Sequence, residues 1–376
     1  MSDKSTAFAA TSATHARMEM AHRAGCLCGL SRRGFLTGVA AAGAAGAAGF
    51  RAEAVAQTAP SPPQPAQRID VHHHMLPPAY IEKRLALGVG EGSTEVSQWT
   101  PARTLEQMDK NGIATAVLSL SQPGINFDDV DETRKMLRYC NEYGAETVRD
   151  HPGRFGLFVS LPLTDIDGSL RELEHGFDVL KADGVGLLTS YGQKYPGDLV
   201  FDPIWQELNR RKAVAFFHPN LPACCRGLLA DVPGPTIEYQ FNTARAITNL
   251  LYSGTLTRYP DIRYIFCHSG GAMTPQVGRI VRHAEESKKI SARLPNGAWA
   301  EIKKLYYDTA QSTFPWNFGA LKSFVPISHI LLGSDYPYVT PAETIEPLLK
   351  LGLSEEEVRA VTRDNALGLF PRLKAA

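Results

Sequence analysis

The sequence predicts an α/β protein built as a (β/α)8 TIM-like barrel. Three observations carry that prediction. Eight short apolar runs recur between Arg68 and Pro337, amphipathic stretches fill the spaces between them, and polar residues close several of the runs at the same end. Runs that are apolar almost throughout suit strands buried on both faces of a parallel sheet. Eight such units favour a closed barrel over an open doubly wound sheet. No Gly-x-Gly-x-x-Gly follows the first run, and His268-Ser269-Gly270-Gly271 does not supply that fingerprint either.

In chain order the runs are Arg68–His74, Ala114–Ser121, Arg154–Pro162, Gly184–Tyr191, Ala213–Pro219, Ile262–Gly270, Leu305–Ser312 and Ile330–Pro337. The stretches between them are helical in character. Pro101–Lys110 carries Leu105 and Met108 at helical spacing, and Asp167–Lys181 places Leu170, Leu173, Phe177 and Leu180 on one face. Ile237–Tyr259 and Thr344–Leu369 follow the same pattern. Two long connections, residues 76–100 and Pro219–Pro235, follow strands. In a barrel such loops sit at the C-terminal face and build the site.

Residues 1–56 are expected to be a twin-arginine signal peptide rather than part of the fold. Ser31-Arg32-Arg33-Gly34-Phe35-Leu36 precedes a weakly hydrophobic Ala/Gly run from Gly38 to Phe50, and Ala54-Val55-Ala56 offers a small-residue cleavage site. That run falls short of the roughly 20 apolar residues a bilayer span requires, so stable membrane insertion is not expected and the periplasm is the expected location. Residues 57–67, rich in Pro, Gln and Ala, read as a linker, and 68–376 as a single catalytic barrel domain. Lys and Arg number 39 and Asp and Glu 39 over 376 residues, so there is no nucleic-acid footprint. Beyond the leader, Cys140, Cys224, Cys225 and Cys267 form no Cys-x-x-Cys pair and read as free thiols.

The chemistry is concentrated at run ends. His72 and His74 flank His73 at the end of the first run, and side chains alternate along a strand, so His72 and His74 point the same way. His218 closes the fifth run, His268 the sixth and Asp335 the eighth. Strand C-termini converge on one rim, so these five groups can face one point. Imidazoles with a carboxylate suit Zn2+ or the harder Mn2+. Taken singly, each is equally well read as a satisfied polar group at a strand end. Asp70 is placed to support the histidines from inside the barrel, and Asp308, closing the seventh run, reads first as a structural hydrogen-bond acceptor. His73, His151, His175, His283 and His329 lack the placement of the five and read as solvated or core histidines.

These residues resemble the amidohydrolase superfamily, in particular its aminocarboxymuconate-semialdehyde decarboxylase branch. The motifs are Ile69-Asp70-Val71-His72-His73-His74, Met108-Asp109-x-x-Gly112, Phe217-His218-Pro219, His268-Ser269-Gly270-Gly271 and Leu332-Gly333-Ser334-Asp335-Tyr336-Pro337. The resemblance implies His72, His74, His218 and Asp335 as metal ligands and His268 as the catalytic histidine beside them. It also implies that Arg279, in the pattern His268…Gly278-Arg279, binds the substrate carboxylate of a neighbouring subunit, hence a homodimer or higher homo-oligomer. Two departures bear on substrate. Residues 86–100 hold no arginine where the branch places a second one, Arg84 coming too early to match, and Asn220 stands where the branch carries a tryptophan. Leu76-Pro77-Pro78-Ala79-Tyr80 is similar to the methylsalicylate-type decarboxylases.

The expected activity is therefore metal-dependent, non-oxidative decarboxylation of a small aromatic or unsaturated carboxylic acid, with His268 and Asp335 handling protons. The alternative is hydrolysis of an ester, lactone or amide, for which the same groups would activate water. A catalytically idle metal-binding scaffold is the reading from another class, and the presence of His268 beside a full ligand set argues against it.

Overall fold

A computed structural model describes residues 67–88, 94–127 and 129–375. The expected signal peptide, residues 1–56, and all of the expected linker except Gln67 lie outside the described residues. Eight parallel strands run in the order of the sequence: β1 (Arg68–His74), β2 (Ile113–Ser119), β3 (Phe155–Ser160), β4 (Gly184–Leu188), β5 (Val214–His218), β6 (Arg263–Phe266), β7 (Tyr306–Asp308) and β8 (Ile330–Leu331). The barrel closes between its ends. The Val71 amide donates to Leu332 O at 2.9 Å, the Asp335 amide to His72 O at 2.8 Å and the His74 amide to Tyr336 O at 2.8 Å.

The principal helices are α1 (Pro78–Ala86), α2 (Pro101–Lys110), α3 (Val130–Asp150), α4 (Ile166–Glu174), α5 (Asp202–Arg210), α6 (Glu238–Ser253), α7 (Met273–Glu286), α8 (Pro315–Lys322) and α9 (Pro341–Leu348). Their starts are written locally. At α2 the Thr100 hydroxyl accepts from the Arg103 amide, and Pro101 occupies the first helical position, where a missing N–H costs nothing. No described helix is long and apolar enough to cross a membrane.

Two buried layers follow from strands that are apolar on both faces. The outer layer packs strand residues such as Leu118, Leu157 and Phe217 against helix residues such as Leu137, Trp205 and Ile247. The inner layer fills the barrel. Phe370, from the C-terminal segment, packs on Phe158 at 5.8 Å between ring centroids, Phe158 stacks on Phe216 at 5.1 Å, and Phe216 meets His72 edge-on at 5.2 Å. The site thus rests on a solid apolar column, which fixes His72 from below and excludes water from that side.

The structure differs from the sequence reading at several ends. β6 stops at Phe266 and β8 at Leu331, so His268 and Asp335 stand beyond the strands rather than closing them. The stretch Ile237–Tyr259 is broken at Gly254, whose φ of 75° ends α6 in a left-handed cap. Helix α4 stops at Glu174 and gives way to a wider turn, His175–Val179. Thr344–Leu369 is two helical stretches rather than one, the end of Pro341–Leu348 and a second over 355–369 with a wider turn at Ala360–Asp364, because Gly352 has φ 71° and Ser354 begins a new capping box with Glu357. The first connection, read as lacking periodicity, contains α1.

Candidate metal centre and active site

Four predicted ligands meet at the C-terminal rim. His72 Nε2 and His74 Nε2 lie 3.0 Å apart, as the alternation along β1 requires. Asp335 Oδ1 lies 3.1 Å from His72 Nε2, 3.0 Å from His74 Nε2 and 3.8 Å from His218 Nε2. One potential ligand atom from each residue falls within 4.8 Å of the others, and all four residues are buried.

The outer ring nitrogens show what the inner ones offer. His218 Nδ1 donates to Pro219 O at 2.8 Å, which leaves Nε2 with its lone pair facing the cluster. His72 Nδ1 lies 2.9 Å from Asp308 Oδ2, off the line of an ideal hydrogen bond, and His74 Nδ1 bonds with the Ser119 hydroxyl at 3.1 Å. Burial pushes the His218 pKa down to about 4 and, with the neighbouring His218 charge, holds His74 well below its ordinary value. Burial works against an ionised Asp335, but His72 and hydrogen bonds with the histidines outweigh it and hold the carboxyl well below its usual range. His72 differs from the other two: burial works against its charged form, but Cys267, Asp308 and Asp335 outweigh it and hold its pKa well above the ordinary value. A divalent cation binds the neutral imidazole, so it would take the place of the His72 proton, and the donor set of three imidazoles and a carboxylate fits one.

His268 stands beside this group. Its Nδ1 donates to Ala310 O at 3.0 Å, so the free Nε2 faces Asp335 Oδ2 at 3.9 Å. Its ring lies 5.1 Å from that of His72. The structure therefore brings all five predicted rim groups together. It also gives Asp308 two tasks. Oδ1 accepts from the His268 and Ala310 amides at 2.9 and 3.0 Å, while Oδ2 faces His72. Asp70 ties β1 to the β8 connection. Its Oδ1 accepts from the His72 and Ser334 amides, and its Oδ2 accepts from His73 Nδ1 at 2.8 Å. His73 is a buried core histidine.

A further candidate metal group, His72, Cys267 and Asp308, shares this region. Cys267 is a poor ligand there. Its thiol donates to Phe217 O at 2.8 Å, and burial pushes its pKa up, so it stays protonated.

Gln311 was not foreseen. Its Nε2 donates to Asp335 Oδ2 at 2.6 Å, which leaves Oδ1 to face the imidazoles. Three residues at the rim, His268, Gln311 and Asp335, hold left-handed backbones with φ of 54°, 49° and 69°. Such conformations cost about 1–3 kcal/mol each and persist where the surroundings over-determine them. They occur here because the chain turns out of the strand at the point where the side chain must turn inward. A cavity of 560 Å³ opens alongside, lined by His268 and Gln311 together with Gln240, Thr274, Asn317 and the exposed Trp316. Its size suits a small molecule.

Close approach of β8 to β1 depends on Gly333. A Cβ there would lie 2.7 Å from His72 Cβ and 2.8 Å from Asp308 Cγ. Gly333→Ala is expected to destabilise the fold by about 1–3 kcal/mol, as overpacking of a tight core does, and to lower metal content. Calorimetric melting and metal analysis check both.

Arg279 is not in this pocket. It is exposed on α7, in a shallow groove with Phe241 and Tyr252 of α6 and with Ile280. Asn220, at the position of the expected tryptophan, accepts from the Thr189 hydroxyl at 3.0 Å and the Ser190 amide at 3.1 Å, bracing the connections after β4 and β5.

The fold and this rim define a metal-dependent barrel enzyme, and comparison with known proteins specifies its family. The amidohydrolase family model matches residues 69–372, and the chain belongs to that family. It is 36% identical over 326 residues to the decarboxylase yanB of Aspergillus niger, covering 82% of this chain and 88% of that one. It is 34% identical over 316 residues to 6-methylsalicylic acid decarboxylase of Penicillium expansum, covering 82% of this chain and 97% of the other. Among solved structures, a dihydroxybenzoic acid decarboxylase from Polaromonas, with bound manganese and the inhibitor 2-nitroresorcinol, shares the fold. Its TM-score is 0.72 at 22% identity, over 81% of this chain and 97% of that chain.

Proposed function

We propose that the protein is a metal-dependent, non-oxidative decarboxylase of a monocarboxylic aromatic acid, with His72, His74, His218 and Asp335 as ligands and His268 as the catalytic histidine. The observation that carries this reading is the buried convergence of three Nε2 atoms on Asp335 with a fourth imidazole, His268, facing its other oxygen. The likeness to decarboxylases at 34–36% identity sets the reaction class. We further propose zinc as the resident ion, on the nitrogen-rich donor set. Manganese is the alternative, supported by the manganese in the related fold.

A divalent ion held there supplies positive charge that fixes the oxygen donors of the acid and withdraws electron density from its ring. The protein groups move the proton. A carboxyl held as low as that of Asp335 is a strong acid once protonated. Asp335 delivers its proton to the ring carbon that bears the carboxylate. The bond to that carboxylate breaks, its electron pair stays with the ring as aromaticity returns, and carbon dioxide leaves. His268 Nε2, 3.9 Å from Asp335 Oδ2, takes up a proton from solvent and passes it to the carboxylate, so each turnover consumes one solvent proton. The fixed Nδ1–H···O bond to Ala310 keeps Nε2 as the exchanging atom.

Arg279 is proposed to act in a neighbouring copy of the chain. Its exposure and its distance from its own pocket, in a groove bearing the exposed Phe241, support a homo-oligomer in which that face is an interface. The twin-arginine pattern supports export to the periplasm in folded form.

Metal-loaded protein is expected to release carbon dioxide from members of a hydroxybenzoate panel. Release from none of them, or incorporation of oxygen-18 from labelled water into an ester or lactone product, would overturn decarboxylation in favour of hydrolysis. A crystal structure with a soaked aromatic acid and metal analysis would identify the ion and the chain that supplies the arginine.

A further inference from the structure

The connection after β5 carries two adjacent cysteines whose sulfurs meet. Cys224 and Cys225 share one 3-10 turn, Ala223–Cys225, on the way from His218 to α6. The turn is held by the Cys225 amide, which donates to Pro222 O at 3.0 Å, and continues in the Leu228 amide, which donates to Cys225 O at 3.3 Å. Successive side chains of such a turn point about 120° apart, so adjacency alone does not bring their ends together. Here the two Sγ atoms lie 2.8 Å apart. A disulfide bond measures about 2.05 Å, so the sulfurs need to close by less than about 1 Å to form one.

The two thiols differ in what they can reach. Cys224 is exposed, and Cys225 is buried, at 7% exposure. The first can meet a reagent in solvent, while the second reaches what the first holds. Hydrogen bonding with Cys224, burial and the Glu238 carboxylate on the first turn of α6 push the Cys225 thiol up to about 11. The thiolate is the attacking form, so Cys225 waits while Cys224 is free. Once the Cys224 sulfur is bonded elsewhere, the proton-sharing partner that raised Cys225 is gone. The other two described cysteines, Cys140 and Cys267, are buried in the core, and burial pushes both thiols up. The reactive thiol chemistry of the described barrel therefore concentrates at this turn.

We propose that Cys224 and Cys225 are a thiol–disulfide exchange site, which reacts with a low-molecular-weight disulfide from solvent and closes into a vicinal disulfide. The Cys224 sulfur attacks one sulfur of the donor. The donor S–S bond breaks, a mixed disulfide forms, and the first donor thiolate leaves and takes the proton that Cys224 lost. The Cys225 sulfur then attacks the Cys224 sulfur. The mixed disulfide breaks, the Cys224–Cys225 bond forms, and the second donor sulfur leaves as a thiol with the Cys225 proton. The two cysteines give up two electrons, and the donor is reduced to two thiols. Neighbouring Cα atoms are about 3.8 Å apart across a trans peptide, short of the roughly 4.4–6.8 Å that disulfides ordinarily span, so the closed pair is strained and readily reduced again. Neither sulfur belongs to the predicted ligand cluster, and the assignment does not depend on which reaction that cluster performs.

The test uses the folded full chain, reduced and then incubated with an excess of oxidised over reduced glutathione. The reaction is quenched in acid, free thiols are alkylated after unfolding, and tryptic peptides are weighed. Both cysteines fall in one peptide, Ala213–Arg226, between Lys212 and Gly227. That peptide is expected to lose both alkyl labels and two hydrogens, with no glutathione attached, while the peptides of Cys140 and Cys267 keep their labels. Dithiothreitol added to the folded oxidised protein should restore both labels. The single variants assign the order of attack. Cys225→Ser should accumulate glutathione on Cys224, since the sulfur that expels it is missing. Cys224→Ser should leave Cys225 alkylatable and unmodified.

Two labels retained in the wild-type peptide overturn the proposal. So does glutathione that stays on Cys224 with Cys225 present, or a bridge from this peptide to another, such as that of Cys26 or Cys28, or to a second chain. A closed pair that dithiothreitol opens only after unfolding would make it a structural cross-link rather than an exchange site. Glutathione on Cys225 in Cys224→Ser would contradict the order of attack read from exposure. None of these readouts uses turnover, so a failure of the decarboxylase reading leaves the exchange site standing, and the reverse.

Discussion

Replacing His268 by asparagine is expected to leave the metal content of the protein intact and to lower kcat by about 10²- to 10⁴-fold, the range a positioned general acid–base group contributes. The geometry separates these outcomes. His268 Nε2 lies 3.9 Å from Asp335 Oδ2, whereas the four ligand atoms pack within 4.8 Å of one another around Asp335 Oδ1. Removing the ring therefore strips no ligand atom. Asparagine can keep the side-chain hydrogen bond to Ala310 O that the Nδ1–H now makes, so the turn with φ 54° at this residue keeps its anchor. What is lost is the imidazole proposed to exchange a proton with Asp335 Oδ2. Metal analysis beside steady-state release of carbon dioxide reads both quantities. Retained turnover would remove His268 from the proton path, and lost metal would make it a ligand.

The rim was legible because its members obey a simple rule. A polar residue at the C-terminal end of an apolar run in an eight-unit pattern has nowhere to point except the common face, and His72, His74 and His218 stand at such ends. His268 and Asp335 were found by the same rule although the strands stop short of them, at Phe266 and Leu331. There the chain leaves the sheet and turns the side chain inward through a left-handed residue, which periodicity does not encode. Gln311 and Tyr338 escaped for the same reason. Each lies in a connection, and its role comes from a neighbour distant in sequence, Asp335 for Gln311 and Arg84 for Tyr338. Arg84 was visible but unreadable, since the first connection shows no periodicity that would assign it to a buried face. Only the fold shows that α1 buries it, with its guanidinium donating to the Tyr338 hydroxyl. Thr344–Leu369 reads as one helix in the sequence because its apolar period continues across the break between Leu348 and Glu355, where Gly352 takes φ 71°.

Replacing Asp335 by asparagine is expected to produce the largest loss of all, through two effects that metal loading separates. Asp335 is the one carboxylate among the four ligands, and its Oδ1 approaches His72 Nε2 and His74 Nε2 at 3.1 and 3.0 Å. An amide oxygen in its place keeps the shape but removes the one negative charge that the four proposed ligands would offer a divalent ion in this buried site. There Coulomb terms are far less screened than in water. Changes to groups that merely orient ligands already cost 10- to 100-fold in affinity, so the loss here should be at least about 100-fold. The amide also cannot carry the proton that Asp335 is proposed to deliver, and its NH2 would face Gln311 Nε2, now 2.6 Å from Oδ2. Titration with excess zinc or manganese should restore metal occupancy while kcat stays about 10²- to 10⁴-fold below wild type. Full recovery of kcat on loading would reduce Asp335 to a ligand and pass the proton delivery to His268. An unchanged metal affinity would contradict the ligand set itself.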